Sequence, residues 1–141
     1  SYLKFPVKDV WGVLMRRDCP LAEKDCITPA DLYDLPLIVS RQALDGSELT
    51  MWLKKDKAQL NITAIYNLVY NASLMVDEGL GVALCLDKII NVSGESSLCF
   101  RPLKPKLEIG MSLVWKKYQL FSKAADKFIT KMQDKINNLY T

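Results

Sequence analysis

Few side chains in this sequence are suited to bond-making chemistry. The chain has no histidine and four cysteines, Cys19, Cys26, Cys85 and Cys99. Without histidine there is no Ser–His or Cys–His pair in which a ring nitrogen takes the proton of a nucleophile. The cysteines form no Cys-x-x-Cys pair, so a zinc site would have to gather all the thiols from irregular spacings. Cys85 lies in an apolar run and reads as a small core residue. Cys19 and Cys26 could close a short loop in oxidising surroundings, but nothing else points to secretion, and reduced thiols are expected. A thiol nucleophile also needs an activating neighbour, and none stands beside these. The acidic residues are scattered, with no two placed as a catalytic pair. Gly79-Leu-Gly81 ends a helix, whereas glycine-rich phosphate loops begin one. No catalysis, cofactor or metal is expected, and binding is the chemistry that remains.

Two strand-to-helix junctions suit binding. Leu37-Ile-Val-Ser40 runs into Arg41-Gln42 ahead of a helix, and Ile65-Tyr66 runs into Asn67 at the next helix start. Helix N-termini present free N–H groups and the positive end of a dipole, which favours anions. Ser40, Arg41 and Gln42 offer a hydroxyl, a guanidinium and an amide. A plainer alternative stays open: Ser40 and Asn67 only cap their helices, and Arg41 is a surface charge. Capping is the commoner role for such residues.

These junctions need a frame, and the hydrophobic patterning supplies one. Val10–Met15 reads as a strand. Thr28-Pro-Ala-Asp31 carries the marks of a helix start: a capping threonine, proline at the first helical position and an acid placed to reach back. The helix it opens is short, Ala30 to about Tyr33, because Pro36 follows. Leu37–Ser40 is a buried strand. Ser47 caps a helix with Leu49, Trp52 and Leu53 on one face. Leu60–Tyr66 alternates as a strand with Leu60, Ile62, Ala64 and Tyr66 on one side. Leu68, Ala72, Met75 and Val76 recur at helical spacing, Gly79 takes a left-handed cap, and Gly81 lets the chain turn back into the fully apolar strand Val82–Leu86. Leu98–Arg101 and Met111–Trp115 are further strands, separated by an irregular stretch from Pro102 to Pro105. A last helix begins at Ser122. Its stripe of Ala124, Ala125, Phe128, Ile129, Met132, Ile136 and Leu139 faces away from Lys123, Asp126, Lys127, Lys131, Asp134 and Lys135. Alternating strands and helices predict an α/β fold with a mostly parallel, mixed sheet and helices on both faces.

Composition agrees. The 141 residues suffice for one domain with a sizeable core, and with half of them apolar and a quarter charged the chain is neither disordered nor a membrane protein. A net charge of +3 with dispersed lysines and arginines does not make a nucleic-acid surface. The triplets Asn61-Ile-Thr63, Asn71-Ala-Ser73 and Asn91-Val-Ser93 match a glycosylation acceptor by chance, since Asn71 falls in a helix and Asn61 at a strand. The chain opens on Ser1 with no initiator methionine, so a fragment is expected.

The run Trp11-Gly-Val-Leu-Met-Arg-Arg-Asp-Cys-Pro-Leu-Ala22, followed by Ile27-Thr-Pro-Ala-Asp-Leu-Tyr-Asp-Leu-Pro-Leu-Ile-Val-Ser-Arg41, resembles the effector domain of LysR-type transcriptional regulators. So do the glycine-punctuated helix and strand around Gly79 and Gly81, Phe100-Arg-Pro-Leu103, and Leu113-Val-Trp-Lys116 ahead of the Ser122 helix. The resemblance covers nearly the whole chain. It implies a periplasmic-binding-protein-like fold, with a small, anionic effector held between two lobes. Residues from about 10 to 113 would form the second lobe. Residues 122–141 would form a helix that packs on the first lobe of an intact regulator. With that lobe outside this chain, its apolar stripe is expected to dock on its own lobe or on another copy. Ser40, Arg41, Gln42, Tyr66 and Asn67 would be ligand-binding residues. The intact protein would be a bacterial, cytoplasmic homodimer or higher oligomer that reaches DNA only through a domain absent from this chain. Two alternatives remain: a lobe of a solute-binding protein, and an oligomerisation module with no ligand.

Overall fold

A computed structural model of the chain describes residues 1–140. The described residues divide into two compact units, one of residues 10–108 and one of residues 1–9 with 109–140. The first strand, β1 (Tyr2–Arg16), contributes its opening residues to the smaller unit and its remainder to the larger.

The larger unit continues through α1 (Pro29–Leu32), β2 (Leu37–Ser40), α2 (Arg41–Asp45), α3 (Glu48–Leu53), β3 (Ile62–Tyr66), α4 (Val69–Asp77), β4 (Val82–Leu86) and β5 (Leu98–Pro102). Its strands lie in the order β3-β2-β4-β1-β5. β2 runs parallel to β3 and β4, whereas β1 runs antiparallel to β4 and β5. The sheet is therefore mixed. Its parallel half comes from strands joined through helices, as parallel neighbours require.

Period-two alternation sorts the apolar residues of the central strands into two cores, one on each face. On one side Val13, Met15, Leu37, Val39, Val82 and Leu84 meet Leu32 of α1, Leu44 of α2 and Leu49, Trp52 and Leu53 of α3. On the other, Leu14, Ile38, Tyr66, Ala83 and Cys85 meet Ala72 and Val76 of α4. Helices thus cover both faces. The Trp52 indole Nε1 donates to the Pro105 carbonyl at 2.7 Å, which satisfies the polar end of the largest ring in the first core.

The helix ends follow local chemistry. The Asp31 carboxylate reaches back at the start of α1 as the capping pattern requires, accepting from both the Thr28 backbone N–H and its hydroxyl at 2.9 Å. Ser47 stands at the start of α3, but its side chain makes no capping bond. The helical spacing groups Leu68 with Ala72, Met75 and Val76. Leu68 is instead the N-cap residue of α4 with its side chain 66% exposed, while Ala72, Ser73 and Val76 form the buried face. Gly79 adopts the left-handed conformation at φ 82°. Gly81 answers to a different constraint: a Cβ there would lie 2.4 Å from the Pro36 carbonyl oxygen, against the entry to β2.

The smaller unit pairs the leading part of β1 with β6 (Glu108–Val114) and carries α5 (Lys123–Asn138). Ser1 and Trp115 exchange backbone hydrogen bonds at 3.3 and 3.0 Å. The Ser122 hydroxyl caps α5 by accepting from the Ala125 N–H at 3.2 Å. Along the apolar stripe Ala125, Ile129, Met132 and Ile136 are half-buried and Ala124, Phe128 and Leu139 are exposed. No residue of the helix is fully buried.

Gly81→Ala is expected to destabilise the fold by about 2–3 kcal/mol, because the clash is with backbone that closes the β2–β4 junction. Gly79→Ala, with nothing within 4 Å of the added methyl, should lose only about 1 kcal/mol from its left-handed backbone. Urea unfolding of the two variants checks the ranking.

Asp31 supplies a pH signature. Its hydrogen bond from Lys24 pulls its pKa below the ordinary value of 3.8; burial opposes this and the Thr28 bonds add to it. A carboxylate depressed in the folded state contributes stability above its unfolded pKa and loses it as pH falls through the folded one. Asp31→Ala should therefore lose about 1 kcal/mol near neutrality. Its deficit against the parent should shrink as unfolding is measured from roughly pH 5 down to pH 2.

Candidate functional site

The parallel pairing of β2 with β3 sets Ser40 opposite Tyr66 at the carboxyl ends of the two strands. The loops that leave these strands therefore start side by side. On the β2 side the chain turns directly into α2, beginning at Arg41, so Arg41 and Gln42 belong to a short helix and not to a loop ahead of one. Ser40 is its N-cap residue, and its hydroxyl accepts from the Ala43 N–H at 3.5 Å, a long and weak bond. The hydroxyl is not tightly committed. Arg41 and Gln42 are exposed, and Arg41 appears in no ion pair among the described residues. α2 spans five residues, so its dipole is small.

On the β3 side Tyr66 is 8% exposed, and its hydroxyl donates to the Leu84 carbonyl in β4 at 2.8 Å. Its phenol is an internal brace, and at the strand end it presents its backbone. Burial, with a smaller contribution from Cys85, raises its pKa. Asn67 is exposed but does not begin the helix, which starts one residue later with Leu68 as N-cap. An apolar residue at that position cannot accept from the first-turn N–H groups, so α4 begins without a side-chain cap. The spacing of Leu68 from Ala72 concealed this role, because an i, i+4 pair fits an inner helix face equally well.

Thiol chemistry lies elsewhere. All four cysteines are free, and Cys85 and Cys99 are buried. Burial, helped by the charge of Asp87, pushes the Cys85 thiol up to about 12. Among the described residues no three His, Cys, Asp or Glu side chains gather as a metal site would need, and no helix is long and apolar enough to cross a membrane. The junctions offer hydrogen-bond donors and one free guanidinium, which suits recognition of a small polar molecule.

A mixed α/β sheet with helices on both faces, and with loops leaving the carboxyl ends of its parallel strands, is the architecture of open α/β domains. The sequence profile of the LysR substrate binding domain matches residues 7–137. The chain belongs to that family. A search of curated proteins finds no match.

Solved structures of similar fold include HinK, a LysR family transcriptional regulator from Pseudomonas aeruginosa. It has 16% identity and a TM-score of 0.74 over 96% of this chain and 49% of that one. The CcmR regulatory domain of Synechocystis PCC6803, in complex with 2-PG, has 18% identity and a TM-score of 0.71 over 98% of this chain and 67% of that one. The effector binding domain of QuiR, in complex with shikimate, has 17% identity and a TM-score of 0.67 over 92% of this chain and 62% of that one. The chain spans about half the length of HinK and two thirds or less of the two domains.

Tyr66→Phe keeps the ring but removes the bond to Leu84. It is expected to lower stability by about 1 kcal/mol, read as a shift of the urea midpoint at unchanged slope.

Proposed function

We propose that this chain supplies most of the second lobe of a LysR-type effector domain, which binds a small anionic effector and thereby modulates DNA binding and transcription by the intact regulator. Residues from about 10 to 113 make the lobe, and α5, Lys123–Asn138, is the helix that packs on the first lobe of the intact protein. The observation that carries this reading is the Ser40–Tyr66 pairing, which starts both loops at the end of the sheet where open α/β folds take their ligands. Arg41 supplies the charge that selects an anion, and its fork suits a carboxylate or phosphate. Ser40, Gln42 and Asn67 add polar contacts, and Tyr66 holds the floor of the site through its brace to β4. The uncapped first turn of α4 contributes N–H donors. The CcmR and QuiR domains, each solved with a small molecule, support a ligand-binding role for lobes of this fold.

In this reading the domain senses and does not catalyse, and it needs no cofactor. The intact regulator is cytoplasmic, associates as a homodimer or higher oligomer, and contacts DNA through a separate domain. The half-buried stripe of α5 belongs to the surface that joins it to the first lobe.

The test uses a protein carrying both lobes. Small carboxylates and phosphates are screened by thermal shift, and the strongest binder is measured by calorimetry with the parent and with Arg41→Ala. Loss of a charge-assisted hydrogen bond should weaken binding by about tenfold or more. An unchanged affinity would remove Arg41 from the site, and a screen with no stabilising acid would favour an oligomerisation module.

A further inference from the structure

On the β5 side of the sheet, three strands away from β2, lies a second polar feature. β1 runs antiparallel to β4, so the residues just past β1 emerge where the parallel strands begin. Arg17, from the turn there, and Arg101, in β5 opposite Val13 of β1, line a hollow of about 420 Å³ together with Ala22, Glu23, Cys99 and Phe100.

Both guanidiniums are fixed by backbone carbonyls. Arg17 donates from Nε to Leu98 at 3.1 Å and from Nη2 to Val92 at 2.6 Å. Arg101 donates from Nε to Lys24 at 2.9 Å and more distantly to Ala22, from Nη2 to Ala22 at 2.8 Å, and from Nη1 to Phe100 at 2.9 Å. Carbonyl dipoles orient these groups but carry no net charge to neutralise them. Neither arginine takes part in any of the ion pairs among the described residues. A guanidinium has five N–H donors, so each retains unused ones, including both on Arg17 Nη1. The Cys99 thiol between them feels both fields: burial raises its pKa, and Arg101 and Arg17 pull against that rise.

Two positive groups held rigid in one concavity, with spare donors and no counter-charge bonded to them, form a pre-organised oxyanion receptor. We propose that the Arg17–Arg101 hollow binds a small oxyanion, a phosphate or carboxylate group, at a site separate from the Ser40–Asn67 junctions. The exposed Glu23 carboxylate on its rim opposes the anion and weakens the site without contributing to the clamp.

The chain, with nitrogen-15 label, is titrated with inorganic phosphate and separately with malonate, using sodium chloride at matched ionic strength as reference. The Nε–H resonances of Arg17 and Arg101 should shift saturably with at least one oxyanion, with millimolar affinity, and that shift should persist in Arg41→Ala, which separates it from any binding at the junctions. Which oxyanion binds more tightly identifies the ligand class. Arg17→Gln should weaken binding by about tenfold. Glu23→Gln leaves every carbonyl clamp intact and should tighten it by about two- to fivefold. Responses no larger than those to chloride, or an affinity indifferent to Glu23→Gln, would overturn the proposal even if the Arg17 variant failed to fold.

Discussion

The larger unit depends on the placement of β2. Its four residues, Leu37–Ser40, pair with strands on both sides and lie between two apolar cores. The strand is secured before it begins: the Leu37 N–H donates to the Asn61 carbonyl at 2.8 Å, and the Pro36 carbonyl accepts from Val82 at 3.0 Å. Gly81 permits that second approach because it has no Cβ to occupy the space beside Pro36. A parallel strand buried on both faces has no solvent-facing register to slip into, since a shift by one residue would exchange the contents of the two cores. Ser40 and Arg41 inherit their positions from this lock.

Local signals were legible where one short stretch of chain settles the outcome. β2 has the bounds its apolar run implies, and Asp31 reaches back to Thr28 as its spacing requires. The Leu49, Trp52 and Leu53 face of α3 is buried. Gly79 takes a positive φ. Less legible was what depends on partners distant in sequence. The charged, alternating start of the chain gives no hint that β1 extends from Tyr2 to Arg16, because only pairing with β6 makes those residues a strand. The antiparallel placement of β1 and β5 is equally a matter of neighbours, not of propensity.

The candidate site divides the same way. Residue types marked Ser40, Arg41, Gln42 and Asn67 as polar groups at strand ends. They did not reveal that α2 begins at once, that Leu68 caps α4, or that the Tyr66 hydroxyl is taken up inside the core. Nor did they draw attention to Arg17 and Arg101. Their common hollow arises from the end of β1, from β5 and from the turn around Ala22, and no spacing in the sequence joins those segments.

The Tyr66 bond to Leu84 has a mechanical consequence. Tyr66 belongs to β3 and Leu84 to β4, and β2 lies between them. The phenol is thus a tie-rod across the middle strand, fixing the width of the sheet close to the carboxyl ends of β2 and β3. The two junctions at those ends then differ in compliance. The Arg41 side rests on a five-residue helix with a 3.5 Å cap bond and yields readily. The Asn67 side is tied to β4 and resists displacement. Strain introduced near Asn67 is carried inward across the sheet, whereas strain near Arg41 is absorbed where it arises.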